Sequence, residues 1–337
     1  LENNTSQQEP FNKTPFYKRR AFIYLTIACI ALITTGIAAM FHKNYPGVNL
    51  KNLAAELINH DIPPGGNRAV LTLASGKVIV LNEAADGKLG EEEGLTFRKT
   101  GNGQLRYEIN SDAIGTGYHY GGFHTISTPK GGTYEITLPD GSTVWLNAVS
   151  TLKFPTDLNA MKERKIELSG EAYLKVTKNE KHPFKVVTDQ QLVQVLGTDF
   201  NVNNYTDEPT VKTTLFEGTI KVSTVGVNTS SLAVVTLKTG QQAIIHHGSV
   251  NTIKADTAEV LAWKNGFFMF NNEPLESIMK KISRWYDVEV VYQHVNPHKM
   301  FVGKVSRYEH VSTVLKLLES TGGVHFKIEE GKIIAMK

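Results

Sequence analysis

The chain has a single cysteine, Cys29, in 337 residues. It lies inside an apolar run, so the remainder of the chain forms no disulfide and no thiolate-based metal site, and its stability must come from packing. Net charge is scarce as well: 36 Lys and Arg stand against 33 Asp and Glu, giving +3. No basic stripe interleaved with aromatics appears beyond the cluster at residues 13–20, which argues against nucleic acid as a partner. Catalytic signatures are missing: there is no GxSxG, no GxxxxGK[ST], and no GxGxxG opening a helix, since Gly115-Thr116-Gly117 is not followed by a helical pattern. Eleven histidines occur, yet none accompanies a cysteine or sits in an HExxH frame. His246-His247, His119 with His124, and His294 with His298 are the pairs to test. Neighbours on a regular strand face opposite ways, and Pro297 breaks any helix that would align His294 with His298. Carboxylates are scattered singly on alternating runs. Neither a metal nor another cofactor is expected, and a glycan-active enzyme with a hidden carboxylate pair is a third-ranked reading.

The longest apolar run is Ala21 to Phe41, without a charged residue and preceded directly by Lys18, Arg19 and Arg20. About 20 apolar residues at a rise of ~1.5 Å cover a bilayer core of ~30 Å. Residues 21–41 therefore read as a transmembrane helix, with Lys18, Arg19 and Arg20 holding the amino terminus in the cytoplasm. A cleaved signal peptide is the alternative, but its apolar core is shorter, about 7–15 residues. Because the chain starts at Leu1 and not at Met, residues 1–20 are expected to be the remnant of a longer cytoplasmic segment.

Residues 42–60 read as a stalk ending at the breaker Pro63-Pro64-Gly65-Gly66. Residues 61–255 are written in short alternating runs rich in Val, Ile, Thr and Tyr, the pattern of strands with one buried face. Two passages repeat: GGNRAVLTLASGKVIVLN (65–82) matches GGTYEITLPDGSTVWLN (131–147), with Leu73 answering Leu138, Gly76 answering Gly141 and Asn82 answering Asn147. Each copy is predicted to be a hairpin turning on Ser75-Gly76 or Asp140-Gly141. Further turns are expected at Ser169-Gly170, Glu217-Gly218 and Thr239-Gly240, and a further hairpin over Leu95–Ile109. Trp145, Phe154, Tyr173, Phe184 and Phe200 are expected in the core, with Trp263 and Phe267 to Phe270 at the join of two outer domains. Residues 256–337 change to the order β-α-β-β-α-β-β. Its first helix carries Leu275, Ile278, Met279, Ile282 and Trp285 on one face, and the second carries Val311, Val314, Leu315 and Leu318. The expected fold is thus a single transmembrane helix, then a mainly β solenoid-like or jelly-roll domain, then a small α/β domain.

The blocks GGTYEITLPDGSTVWLNAVSTLKFP, ELSGEAYLKV, HPFKV, VQVLGTDFNVNNY, KTTLFEGTIKV and LKTGQQA occur in order and resemble the FecR family of anti-sigma regulators, in the form abundant in Bacteroidetes. The tail WKNGFFMFNNEPLESIMKKISRWYDVEVVY is similar to that family's C-terminal domain, itself like the short N-terminal domain of secretins and TonB-dependent receptors. The resemblance implies a single-pass inner-membrane regulator with periplasmic C-terminal domains. Its implied partners are the signalling domain of an outer-membrane TonB-dependent transporter and a cytoplasmic extracytoplasmic-function sigma factor. Contact with the transporter is expected through a sheet edge in residues 263–337. The family carries a helical domain ahead of the span, where this chain has only residues 1–20. Some relatives cut themselves at a Gly-Thr bond in the VLGT block, which falls here on Gly197-Thr198, with the Thr hydroxyl as nucleophile; a small residue needed for a close strand approach explains the same pair. Thr34, Thr35 and Gly36 lower helix propensity within the apolar run and are the candidate region for an intramembrane protease. The competing reading is a membrane-anchored envelope scaffold or adhesion protein with no sigma-factor partner.

Overall fold

Alternation is realised almost residue by residue in the computed structural model, which describes residues 61–92, 94–109, 121–225 and 233–337. The strand Gly132–Thr137 buries every second side chain, and so do Ser150–Pro155, Phe184–Val187 and Gln191–Val195 over most of their length. Inward residues from two sheets meet in one core that runs from Ala69 to Ile245 and includes Leu71, Ile126, Leu146, Phe154, Phe184 and Phe200.

The first sheet runs, in spatial order, Val78–Val80, Val70–Thr72, Phe123–Thr128, Ser150–Pro155, the first half of Arg164–Lys175, Phe184–Val187, Gln191–Val195, Ile220–Thr224 and Val234–Leu237. The second runs Gly87–Glu92, Leu95–Lys99, Leu105–Ile109, Gly132–Thr137, Thr143–Leu146, the second half of Arg164–Lys175, Asp199–Asn204, Val211–Glu217, Gln241–His246 and Ser249–Lys254. From Asp199 onward the chain adds antiparallel pairs to the two sheets in turn: Asp199–Asn204 with Val211–Glu217 in the second, Ile220–Thr224 with Val234–Leu237 in the first, and Gln241–His246 with Ser249–Lys254 in the second. The strand Arg164–Lys175 belongs to both sheets. It changes sheet at Gly170, whose φ of 86° and contact with Ser150 leave no room for a side chain.

Both repeat copies are hairpins with the same turn: Leu73 N–H bonds to Lys77 O and Gly76 N–H to Leu73 O, while Leu138 N–H bonds to Ser142 O and Gly141 N–H to Leu138 O. The copies also pair with each other, Gly66 against Gly132 and Asn67 against Thr133 in parallel. The hairpin Leu95–Ile109 forms as expected, with Gly87–Glu92 added along its side.

Three expectations need correction. Among the described residues no helix is long and apolar enough to cross a membrane. The fold that the structure supports is mainly β and does not include the single transmembrane helix; the run at 21–41, with Lys18, Arg19, Arg20, Thr34, Thr35 and Gly36, lies outside the described residues. Ser169-Gly170 is not a turn but the interior of a continuous strand, because the chain bends there without reversing. Glu217-Gly218 and Thr239-Gly240 are turns, as expected, and they carry the chain between sheets, so the strands they join do not pair with one another. Trp145 also departs from its expected core position. It points outward from the second sheet, edge-on to Tyr173, with the Lys264 ammonium 4.3 Å above its ring.

Beyond Lys254 a short helix α1 (Thr257–Leu261) leads into a second core. There the strand Phe267–Pro274 is followed by helix α2 (Leu275–Tyr286), strands Glu289–Gln293 and Met300–Ser306, helix α3 (Val311–Ser320), and strands His325–Glu329 and Lys332–Met336. This is the order read from the sequence. Leu275, Ile278, Met279 and Ile282 of α2 are fully buried, and each contributes at most about 1.5–3 kcal/mol relative to exposure. The described residues from 61 to 337 pack as one compact unit.

Candidate functional site

The second sheet does not show its outer face to water where the C-terminal domain meets it. Glu171, on the outward side of the long strand, accepts hydrogen bonds from Asn147 Nδ2 at 2.7 Å and Asn201 Nδ2 at 3.0 Å. Asn201 Oδ1 in turn accepts from Trp263 Nε1 at 3.3 Å, and Asn147 Oδ1 from Arg307 Nη2 at 3.2 Å. Arg307 also donates to Trp263 O at 2.8 Å, and its guanidinium stacks 3.5 Å from the Trp285 ring. Trp285 Nε1 returns a bond to Arg307 O at 2.6 Å. Burial pulls Arg307 down to about 10, which still leaves it charged at neutral pH.

A second cation completes the joint. Arg284 of α2 lies 3.8 Å over the Tyr205 ring, pairs with Asp207 at 3.0 Å and also bonds Glu208. Tyr205 OH donates to Ala148 O at 2.7 Å. Burial raises the Glu208 carboxyl above its ordinary value, against the opposing pull of Arg284. A desolvated cation–π contact contributes about 2 kcal/mol, so two of them with their hydrogen bonds hold the domains together strongly. Beside the joint opens a cleft of about 640 Å³, whose lining includes Lys212, Gln242, Glu259, Glu273 and Lys281.

The segment 61–67 ties in from the other side. Helix α3 has no capping side chain of its own, since His310 makes no such bond. Its first amides are taken by that segment: Ser312 N–H and Oγ donate to the Asp61 carboxylate at 3.1 and 2.6 Å, and Val311 N–H to Ile62 O at 3.0 Å. A carboxylate at a helix N-terminus is favoured by the unsatisfied amides and the helix dipole. The chain then passes Gly65, where a Cβ would lie 2.5 Å from Gly131 O and 2.8 Å from the Trp285 ring. Only glycine fits there, which explains the first residue of the Gly-Gly that opens the first copy.

The residues singled out in the sequence fall elsewhere. Thr198 is buried and its hydroxyl donates to Thr219 O at 3.4 Å; Gly197 backs onto Lys178, where a Cβ would come within 2.5 Å of backbone. Left-handed φ occurs at Gly218, 95°, and not at Gly197. The close approach therefore accounts for the glycine. His246 and His247 do not point apart as a regular strand requires: His247 leaves the strand at φ 48° and the rings stand 4.1 Å apart. Among the described residues no three His, Cys, Asp or Glu are grouped to hold a metal ion. His119 lies outside the described residues, while His124 is buried between Tyr107 OH at 2.8 Å and Glu92 at 2.9 Å. Trp263 was legible as a join residue. Arg284, Arg307 and Glu171 were not, because their partners lie far away in sequence, 160 residues away for Arg307 and Asn147.

Fold and joint together define a two-module protein: a β sandwich locked through buried arginines to a small α/β domain. The FecR protein family model matches residues 124–221, and the model of the FecR C-terminal domain matches residues 267–335. The chain belongs to the FecR family. Two crystal structures of a candidate anti-sigma factor from Parabacteroides distasonis ATCC 8503, at 1.65 and 2.50 Å resolution, are 29% identical to it with a TM-score of 0.58. They align with 63% and 64% of this chain and with 98% and 99% of their own. No curated protein matches the sequence.

Proposed function

We propose that the chain is an anti-sigma regulator whose residues 61–337 lie on the periplasmic side of the inner membrane. There they read the state of an outer-membrane TonB-dependent transporter on behalf of a cytoplasmic extracytoplasmic-function sigma factor. Membership of the FecR family and the likeness to a candidate anti-sigma factor support the regulator role and, with it, a sigma-factor partner. The observation that carries the signalling part is the joint: Arg284 and Arg307 couple the C-terminal domain to the β sandwich, so the two respond as one body to a partner docked on either. Asp61 and Ile62 extend the coupling toward the amino-terminal part of the chain. In this reading, docking on the C-terminal domain shifts the tied unit and leads to release of the sigma factor by regulated proteolysis.

The test is co-purification of a sigma factor with the full chain, together with transcription from that factor's promoters. A sigma factor should co-purify, and its transcription should change when residues 256–337 are deleted. Absence of any sigma factor, with transcription indifferent to loss of the whole chain, refutes the proposal.

A further inference from the structure

The two sheets of the C-terminal domain are finished to different degrees. On the three-stranded sheet of Glu289–Gln293, Lys332–Met336 and His325–Glu329, exposed charges satisfy one another: Lys332 pairs with Glu289 at 2.9 Å and Lys327 with Glu329. The other sheet has only two strands, Phe267–Pro274 and Met300–Ser306, paired antiparallel. Met300–Ser306 turns Phe301 inward and sets Gly303 against Leu317 of α3. It turns Met300 and Val302 outward, 47% and 68% exposed, followed by Lys304. Phe267 and Tyr308 are also exposed, and the Lys304 ammonium lies 4.2 Å over the Phe267 ring. Among the described residues no strand pairs with the free side of Met300–Ser306. Edges are ordinarily guarded by charge. His325–Glu329 has that guard; Met300–Ser306 has one lysine and two bare apolar side chains.

We propose that the Met300–Ser306 edge accepts one extended strand from the transporter's signalling domain, a strand with alternating apolar residues and an acidic residue set against Lys304. This rests on the transporter reading above and adds where and how the contact is made. Backbone amides and carbonyls of the free edge supply affinity, while Met300 and Val302 select apolar side chains at alternate positions of the incoming strand. A second copy of the chain fits less well. Antiparallel self-pairing about Gly303 brings two Lys304 ammonium groups diagonally together, whereas an acidic residue there forms a cross-strand pair.

The experiment measures binding of the full chain to purified signalling domains of TonB-dependent transporters from the same organism, one by one. The double variant Met300→Glu/Val302→Glu should weaken the binding of the cognate domain at least tenfold, and Lys304→Glu severalfold. Lys327→Glu/Lys332→Glu, on the charge-paired sheet, should change it less than twofold. Thermal melting checks that each variant is folded, and Val302→Thr, which keeps the β-branched shape, serves if the double variant is not. If the edge variants bind like wild type while deletion of 256–337 abolishes binding, the edge proposal fails and the transporter reading stands. If the deletion binds normally, or no signalling domain binds, the transporter reading fails and takes the edge with it. A self-association of the full chain that Met300→Glu/Val302→Glu dissolves makes a second copy the occupant and also overturns the proposal.

Discussion

The two repeat copies are the same hairpin placed in different surroundings. Inward positions agree: Leu71 and Leu81 in the first copy and Ile136 and Leu146 in the second are all fully buried. Outward positions diverge. Val78 and Val80 of the first face water, 58% and 37% exposed, at the margin of the first sheet. In the second copy Trp145 lies under Lys264, and Asn147 bonds both Glu171 and Arg307. At the turns, Asp140 forms an ion pair with Arg164 at 2.8 Å in which both side chains are 2% exposed or less, whereas its counterpart Ser75 bonds Glu92, through backbone N–H and hydroxyl, at an exposed position. Inward residues build the sandwich in both copies. Outward residues serve the joint in one copy alone, so a repeat reveals which positions carry something beyond folding.

The sharpest way to separate the copies is at the turns. Asp140→Ala strands the buried Arg164 guanidinium and should cost about 3–5 kcal/mol, while Ser75→Ala, which loses an exposed hydroxyl bond to Glu92, should cost no more than about 1 kcal/mol; urea denaturation of the two variants measures the difference. Inside the sandwich the copies should behave alike. Leu81→Ala and Leu146→Ala should each cost about 3 kcal/mol by the same measurement, and a gap between them much above about 1 kcal/mol would break the claim of equivalent cores. On the outward face, Asn147→Ala leaves Glu171 and Arg307 each short of a partner and should cost about 2 kcal/mol, with faster amide exchange on both sides of the joint, whereas Asn82→Ala should be silent.

The smallest expected effect is on acid stability. Burial raises the Glu92 carboxyl, but its bonds with Ser75 and His124 outweigh this and hold it below the ordinary value of 4.5. A depressed carboxylate stabilises the fold above its unfolded value, and that contribution fades as pH falls through the folded value. Glu208, raised by burial, acts in the opposite sense: its contribution declines as pH rises through the carboxylate range. Melting temperatures between pH 6 and pH 3 should therefore fall less steeply in Glu92→Gln than in wild type, and more steeply in Glu208→Gln.

Much of this architecture was legible before the structure. Helix α2 was read from Leu275, Ile278, Met279, Ile282 and Trp285, and all five are buried; a 3.6-residue period is a local signal that burial merely confirms. The hairpin turns were legible because Ser-Gly and Asp-Gly at matching offsets specify the same reversal. Gly170 misled, since a glycine that bends a strand between sheets reads like one that reverses it. The free edge at Met300–Ser306 was expected only as some edge in the domain; which strand lacks a neighbour depends on strand order. The joint was legible only at Trp263, because Asn147, Glu171, Arg284 and Arg307 look in sequence like solvated polar positions, while Phe268 and Phe270 belong to the C-terminal core and Phe267 is exposed.

By itself the sequence determined the strands, the hairpins, the helix faces and the division into two cores, because each depends on periodicity within about twenty residues. Tertiary structure alone decided that successive pairs of strands go to different sheets, that Asp61 caps α3, and that Arg307 is buried against Trp285 with its charge retained. Those outcomes depend on which distant groups meet out of water, where a polar side chain is stabilised or penalised by its partner and not by its neighbours in the chain.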